Sequence, residues 1–111
     1  MDRVIKYRQM IKKIILDFTE SLGDSETVER VLFFDEEHDN YMMQCLGWKS
    51  YSRVDRRYIL VRLRKGKVYI DDDWTQDGIA TMLVEAGVPP EDIVLSFNPP
   101  EVRELTGFAV A

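Results

Sequence analysis

The hydrophobic period of this chain changes once, and that change constrains the fold more than any other feature. Over residues 2–22 the apolar positions Val4, Tyr7, Ile11, Ile14, Phe18 and Leu22 recur at spacings of three and four, with Ile5 and Ile15 widening the stripe. That spacing lines one face of an α-helix. Asp2 is placed to cap its start and Gly23 to end it. After the polar residues 24–27 the pattern becomes that of strands. Val28–Phe34, rich in β-branched and aromatic residues, reads as a buried strand. Asp35–Asn40 reads as a polar turn. Tyr41–Trp48 reads as a second strand, with Tyr41, Met43 and Cys45 on one face and Met42, Gln44 and Leu46 on the other. Gly47–Arg57 reads as a loop or irregular edge, Tyr58–Arg64 as a third strand and Lys67–Asp71 as a fourth.

The third and fourth strands fix a register. With Lys65-Gly66 as a two-residue hairpin turn, Arg64 faces Lys67, Leu63 faces Val68, Arg62 faces Tyr69, Val61 faces Ile70 and Leu60 faces Asp71. Leu63, Val68, Val61 and Ile70 then share the core face. Arg62, Arg64, Lys67 and Tyr69 share the other, and they form the candidate interaction face, with Arg62 placed for a cation–π contact on Tyr69.

Residues 77–86 predict a short helix burying Ile79, Met82, Leu83 and Ala86, capped by Asp77 and ended by Gly87. Pro90 suits a first helical position, Val94–Phe97 a short strand, and Asn98–Leu105 a brief helix opened by prolines. The apolar tail Phe108–Ala111 is expected to dock. The expected fold is a single α+β domain over residues 1–111. An N-terminal helix packs on an antiparallel sheet of four or five strands, with two short C-terminal helices. Phe18, Val61, Leu63, Val68, Ile70 and Leu83 are expected to be buried together.

A chain of 111 residues, 45% hydrophobic and 32% charged, is long and apolar enough for one core and is not a disordered composition. No apolar run approaches the roughly 20 residues of a membrane span. The charged N-terminus has no signal-like apolar region. The lone Cys45 has no disulfide partner within the chain. A cytoplasmic protein without membrane contact is expected.

The net charge of −5 disfavours nonspecific phosphate binding, yet it is unevenly distributed. Thirteen of the fifteen basic residues lie in Arg3–Lys13 and Lys49–Lys67. Acids cluster at Asp35–Asp39 and Asp71–Asp73. The basic residues crowd the first half of the N-terminal helix, which is backwards for the helix dipole. Something other than helix stability therefore sets their positions. The acidic turn and the basic sheet face are complementary, so a homodimer or a partner complex is expected.

Chemistry-bearing patterns are sparse. GxxxxGK[ST] and GxGxxG are both missing. His38, the only histidine, sits in the acidic run DEEHD and reads as a solvated turn residue. Cys45 reads as a buried, inert thiol. Asp71–Asp73 with Asp77 raise a Mg²⁺ site for phosphodiester hydrolysis. No lysine completes the motif, however, and successive strand residues face opposite ways. No catalytic residue, cofactor or metal is assigned.

Three segments carry a resemblance: MDRVIKYRQMIKKIILDF, FDEEHDNYMMQCLGW and TQDGIATMLVEAGVPPEDIVLSFNPPEVRELTGFAVA. Together they resemble the XisI family of cyanobacterial proteins along the whole chain. The resemblance implies a non-catalytic controlling factor for excision of the fdxN DNA element during heterocyst differentiation. It would be an accessory to a separate site-specific recombinase, acting through partners such as a nuclease-like XisH-type protein. Any nucleic-acid contact is expected to be weak or indirect. Two alternatives stay open: a direct DNA-binding accessory factor, and a metal-dependent nuclease subunit.

Overall fold

The computed structural model describes residues 2–111. Helix α1 spans Arg3–Ser21. The Asp2 carboxylate accepts the Val4 N–H at 2.9 Å, and the chain leaves the helix through Gly23 at φ 71°. Tyr7, Ile11 and Ile15 are buried, with Val4, Ile14 and Phe18 half-buried against the same core. Ile5 and Leu22 lie outside it, at 44% and 36% exposure. The buried stripe is thus narrower than the sequence pattern and runs through Ile15 rather than to Leu22.

Five strands follow, β1 (Val28–Asp35), β2 (Asn40–Lys49), β3 (Ser52–Arg64), β4 (Lys67–Asp73) and β5 (Ile93–Leu95), in the spatial order β1-β2-β3-β4-β5. The α+β expectation holds. The first three pairings are antiparallel, but β4 and β5 are parallel, so the sheet is mixed. Helix α2 (Ile79–Glu85) lies between β4 and β5 and returns the chain to the same end of the sheet, the connection that parallel pairing requires. Strand β1 is an edge and only half-buried, contrary to its apolar composition, with Phe33 48% exposed.

Residues Gly47–Arg57 are not a loop. Lys49 pairs with Ser52 around a Ser50-Tyr51 turn, and β2 and β3 run on as a hairpin from there. The charges of Ser52–Arg57 disguised this strand, because no face of it is continuously apolar. Gly47 makes the arm possible: its φ is 155°, and a Cβ there would lie 2.0 Å from the Thr27 carbonyl, which accepts the Trp48 N–H. The β3–β4 register is as expected from Arg64–Lys67 to Val61–Ile70, with Lys65 and Gly66 at φ 55° and 74° as a type I′ turn requires. A bulge between Leu60 and Val61 then shifts the pairing, so Leu60 faces Asp72 rather than Asp71.

That bulge changes which aspartate caps α2. Asp73, opposite Ile59 on the helix side, accepts the Ile79 N–H at 2.6 Å and the Thr75 N–H at 3.0 Å. Asp77 plays no part in this cap. Helix α2 buries Ile79, Ala80 and Leu83, while Ala86 is exposed. It ends with Val88 N–H on the Leu83 carbonyl and Gly87 N–H on the Val84 carbonyl, a Schellman closure. A 3₁₀ turn (Pro90–Asp92) leads into β5, and helix α3 (Pro100–Arg103) precedes a docked tail. In that tail Ala109 bridges Val94 and donates to the Ile93 carbonyl at 2.8 Å. No helix among the described residues is long and apolar enough to cross a membrane.

Helix α1 packs on the inner face formed by Tyr41, Met43, Ile59, Val61 and Leu63. Two polar clamps fix it there. Tyr7 donates its hydroxyl to Asp92, the one buried charged residue among those described, with Arg3 3.8 Å away. Burial, then the hydrogen bond to Asp92, pushes the Tyr7 phenol up to about 12. Arg8 donates to both Asp39 oxygens, at 2.8 and 3.2 Å, and Tyr41 donates to Asp39 at 2.7 Å. Arg3, Arg8 and Lys12 in the first half of α1 are therefore placed for tertiary partners, which outweigh their unfavourable interaction with the dipole.

Replacing Leu63 by Ala should cost about 2–5 kcal/mol in chemical denaturation, since the side chain is enclosed between β4 and α1. Asp39→Asn should lower the melting temperature at pH 7 and flatten its acid dependence. The Arg8 guanidinium holds the Asp39 carboxyl below its ordinary value. Its contribution is therefore present above the unfolded carboxyl's value near 4 and is lost as pH falls through the depressed folded value. Melting curves of the two proteins should converge at low pH.

Candidate functional site

The structure brings Arg62, Arg64, Lys67 and Tyr69 together on the sheet face opposite α1 and α2. Arg62 lies over Tyr69 at 5.6 Å from the ring centroid and forms a two-pronged pair with Asp71, one contact at 3.0 Å. Arg64 donates to the carbonyls of His38 and Asp39 at 3.0 and 3.1 Å and to the Asn40 side chain at 2.7 Å. Lys67 donates to the Ala111 carbonyl at 2.5 Å. Each cation on this face thus has a partner within the chain.

The acidic turn is also engaged internally. Asp39 binds Arg8, Glu36 binds Lys12, and the Asp35 carboxylate meets the His38 ring at 2.9 Å, which lowers the Asp35 carboxyl from its ordinary value. The complementarity between the turn and the basic segments is therefore satisfied in large part inside one molecule.

Asp71, Asp72 and Asp73 have three separate tasks. Asp71 pairs Arg62, Asp72 pairs Arg57, and Asp73 caps α2. The bulge points Asp73 to the helix side, away from the other two. The described residues hold no group of three potential metal ligands. His38 lies in the turn before β2 and Cys45 midway along that strand, where its thiol is buried 3.8 Å from the Met43 sulfur.

Beside the basic face runs an apolar row. Phe33, Met42 and Leu60 are register neighbours across β1, β2 and β3, and Asp72 closes the row. Gln44–Asp55 and Arg57–Asp72 rim it. Sequence reasoning missed this row because it depends on the bulge between Met43 and Gln44, which resets β3 against β2.

A second feature also escaped the sequence. At about 3.3 Å per residue the 13 residues of β3 run about 43 Å, whereas the 19 residues of α1 cover about 28 Å. The far end of the β1-β2-β3 ribbon therefore projects beyond the helix. On its helix side Arg30, Cys45 and Arg56 form one register row. Trp48, Tyr51 and Trp74 are exposed around it, with Arg53 over Trp48 and Arg56 over Trp74.

Comparison with known proteins places this geometry. No curated protein matches the chain. A XisI-like protein from Anabaena variabilis ATCC 29413 has a crystal structure that superposes with a TM-score of 0.90 at 32% identity, covering 96% of this chain and 98% of its own. The crystal structure of the fdxN element excision controlling factor XisI, from the same organism, superposes with a TM-score of 0.88 at 36% identity, covering 99% and 100%. The family described as XisI protein matches residues 1–110. The chain belongs to the XisI family.

Proposed function

We propose that this protein is a non-catalytic controlling factor for excision of a DNA element, acting through protein contacts. The observation that carries the reading is the full-length similarity, at 36% identity, to a protein described as the fdxN element excision controlling factor XisI. The site geometry supports it. The carboxylates that resembled a metal cluster are engaged in a cap and two ion pairs, and the basic sheet face is internally paired. Neither arrangement leaves a set of groups converging on a reacting atom.

The partner is a XisH-type protein, and the chain itself is a homodimer in the cytoplasm. The row Phe33, Met42 and Leu60 supplies apolar area, and Arg62 and Tyr69 beside it are residue types that concentrate binding energy. Exposed ion pairs contribute about 0–1 kcal/mol each, so the apolar row has to carry most of the affinity. Cations and carboxylates alternate around it, which suits a surface meeting its own copy.

A tagged chain co-expressed with the XisH-type protein should retain it through gel filtration, and Met42→Glu should release it or dissociate the homodimer. Labelled element-end DNA should bind the isolated chain weakly and with strong salt dependence, because −5 overall opposes the phosphates. Sub-micromolar, sequence-selective binding by the chain alone would overturn the partner-regulator reading. Light scattering that gave a monomer at high micromolar concentration would overturn the homodimer.

A further inference from the structure

We infer that the cleft at the projecting end of the sheet is a binding site for a phosphate-bearing small ligand of nucleotide size. The cleft has a volume of about 490 Å³ and lies where α1 stops and the β1-β2-β3 ribbon continues. Small-molecule sites occupy roughly 300–1,000 Å³, so the space suits an organic ligand rather than a lone inorganic ion.

Its charge is lopsided. Arg30, Lys49, Arg53 and Arg56 line it, against the single carboxylate of Asp55, which itself accepts from the Gln44 amide. None of the seven ion pairs among the described residues involves any of these four cations. Of the other arginines, Arg3, Arg8, Arg57 and Arg62 meet carboxylates, and Arg64 and Arg103 donate to carbonyls. Four cations without a carboxylate partner in one concavity therefore stand out in a chain with a net charge of −5.

Arg30 supplies an independent observation. Its Nη1 donates to the Gly23 carbonyl at 2.9 Å, which anchors the guanidinium, while its Nε is buried without any partner. A buried donor on a charged group calls for an acceptor. The cleft it lines is where an anionic oxygen would sit. Across the row, 4.3 Å from the Trp74 ring, Arg56 is held by stacking that leaves its N–H edge free, while Arg53 lies 5.4 Å from the Trp48 ring and donates to the Gly47 carbonyl at 3.3 Å. Planar guanidinium forks held in place match phosphate oxygens two at a time. The wall formed by Leu22, Val28, Val54 and Tyr58 offers apolar surface for the remainder of the ligand.

The same phosphate chemistry has two sources, a free nucleotide or a nucleic-acid backbone, and the concave shape favours the free one. The inference goes beyond the partner reading and does not depend on it. Isothermal titration calorimetry of the full chain with ADP and with sodium pyrophosphate, at fixed ionic strength, tests it. Both should bind, and Arg30→Gln and Arg56→Gln should each weaken ADP at least about tenfold, while Lys6→Gln, on α1, leaves it unchanged. If Arg30→Gln fails to fold, Lys49→Gln at the strand end reads the same site. No saturable heat from either probe would overturn the proposal, as would unaltered affinity in the cleft variants. Binding of a single-stranded oligonucleotide without any binding of ADP or pyrophosphate would overturn it too.

Discussion

Helix α1 can close the sheet only in one position, and the rest of the molecule follows from how it is held there. Ile11 and Ile15 provide the apolar contact, but apolar contact alone tolerates sliding along a pleated surface. The Tyr7–Asp92 and Arg8–Asp39–Tyr41 clamps remove that freedom near the start of the helix. One reaches the turn before β5 and the other the turn between β1 and β2, so both ends of the sheet order are tied to the same two helical turns. Breaking either clamp leaves a carboxylate in a half-dry place without its donors, which costs more than the bond itself contributes.

Clamping α1 at its N-terminal end also decides what stays open. The helix is about 15 Å shorter than β3, and the uncovered length falls entirely at the far end. There the inner face becomes mixed: the Arg30–Cys45–Arg56 row and Lys49 flank the Val28–Gly47–Val54 row, where beneath the helix the face is apolar throughout. The fold thus divides its positive charge into two sets. The set beneath and beside α1 and along β4 is joined to carboxylates and carbonyls and orients the elements. The set on the projecting ribbon, Arg30, Lys49, Arg53 and Arg56, meets no carboxylate, and only Arg30 and Arg53 reach a carbonyl.

Much of this was legible in the sequence wherever a local rule was decisive. The helical stripe, the Asp2 cap, the Lys65-Gly66 turn and the inward positions Val61, Leu63, Val68 and Ile70 each follow from spacing or turn chemistry. So did the family, because DGIA…LVEAGVP and FNPPEVR are long and particular. What was not legible depended on two bulges. They shift Leu60 onto Asp72 and Met43 onto Ile59, which moves the cap of α2 from Asp77 to Asp73 and assembles the Phe33–Met42–Leu60 row. The ribbon was hidden for another reason. Ser52–Arg57 is exposed on both faces over most of its length, so it lacks the alternation by which a strand is recognised, and only pairing with β2 reveals it. Parallel pairing of β5 needed the crossover geometry, which three apolar residues do not encode.

The division of charge is the feature on which the functional readings rest, and arginine-selective chemical footprinting of the native protein tests it most directly. Brief phenylglyoxal treatment followed by peptide mass spectrometry reads each guanidinium separately. Arg53 and Arg56 should be modified first, with Arg8, Arg62 and Arg64 protected until the protein is unfolded. Equal modification of all five in the native state, or early modification of Arg8 and Arg62, would contradict the division.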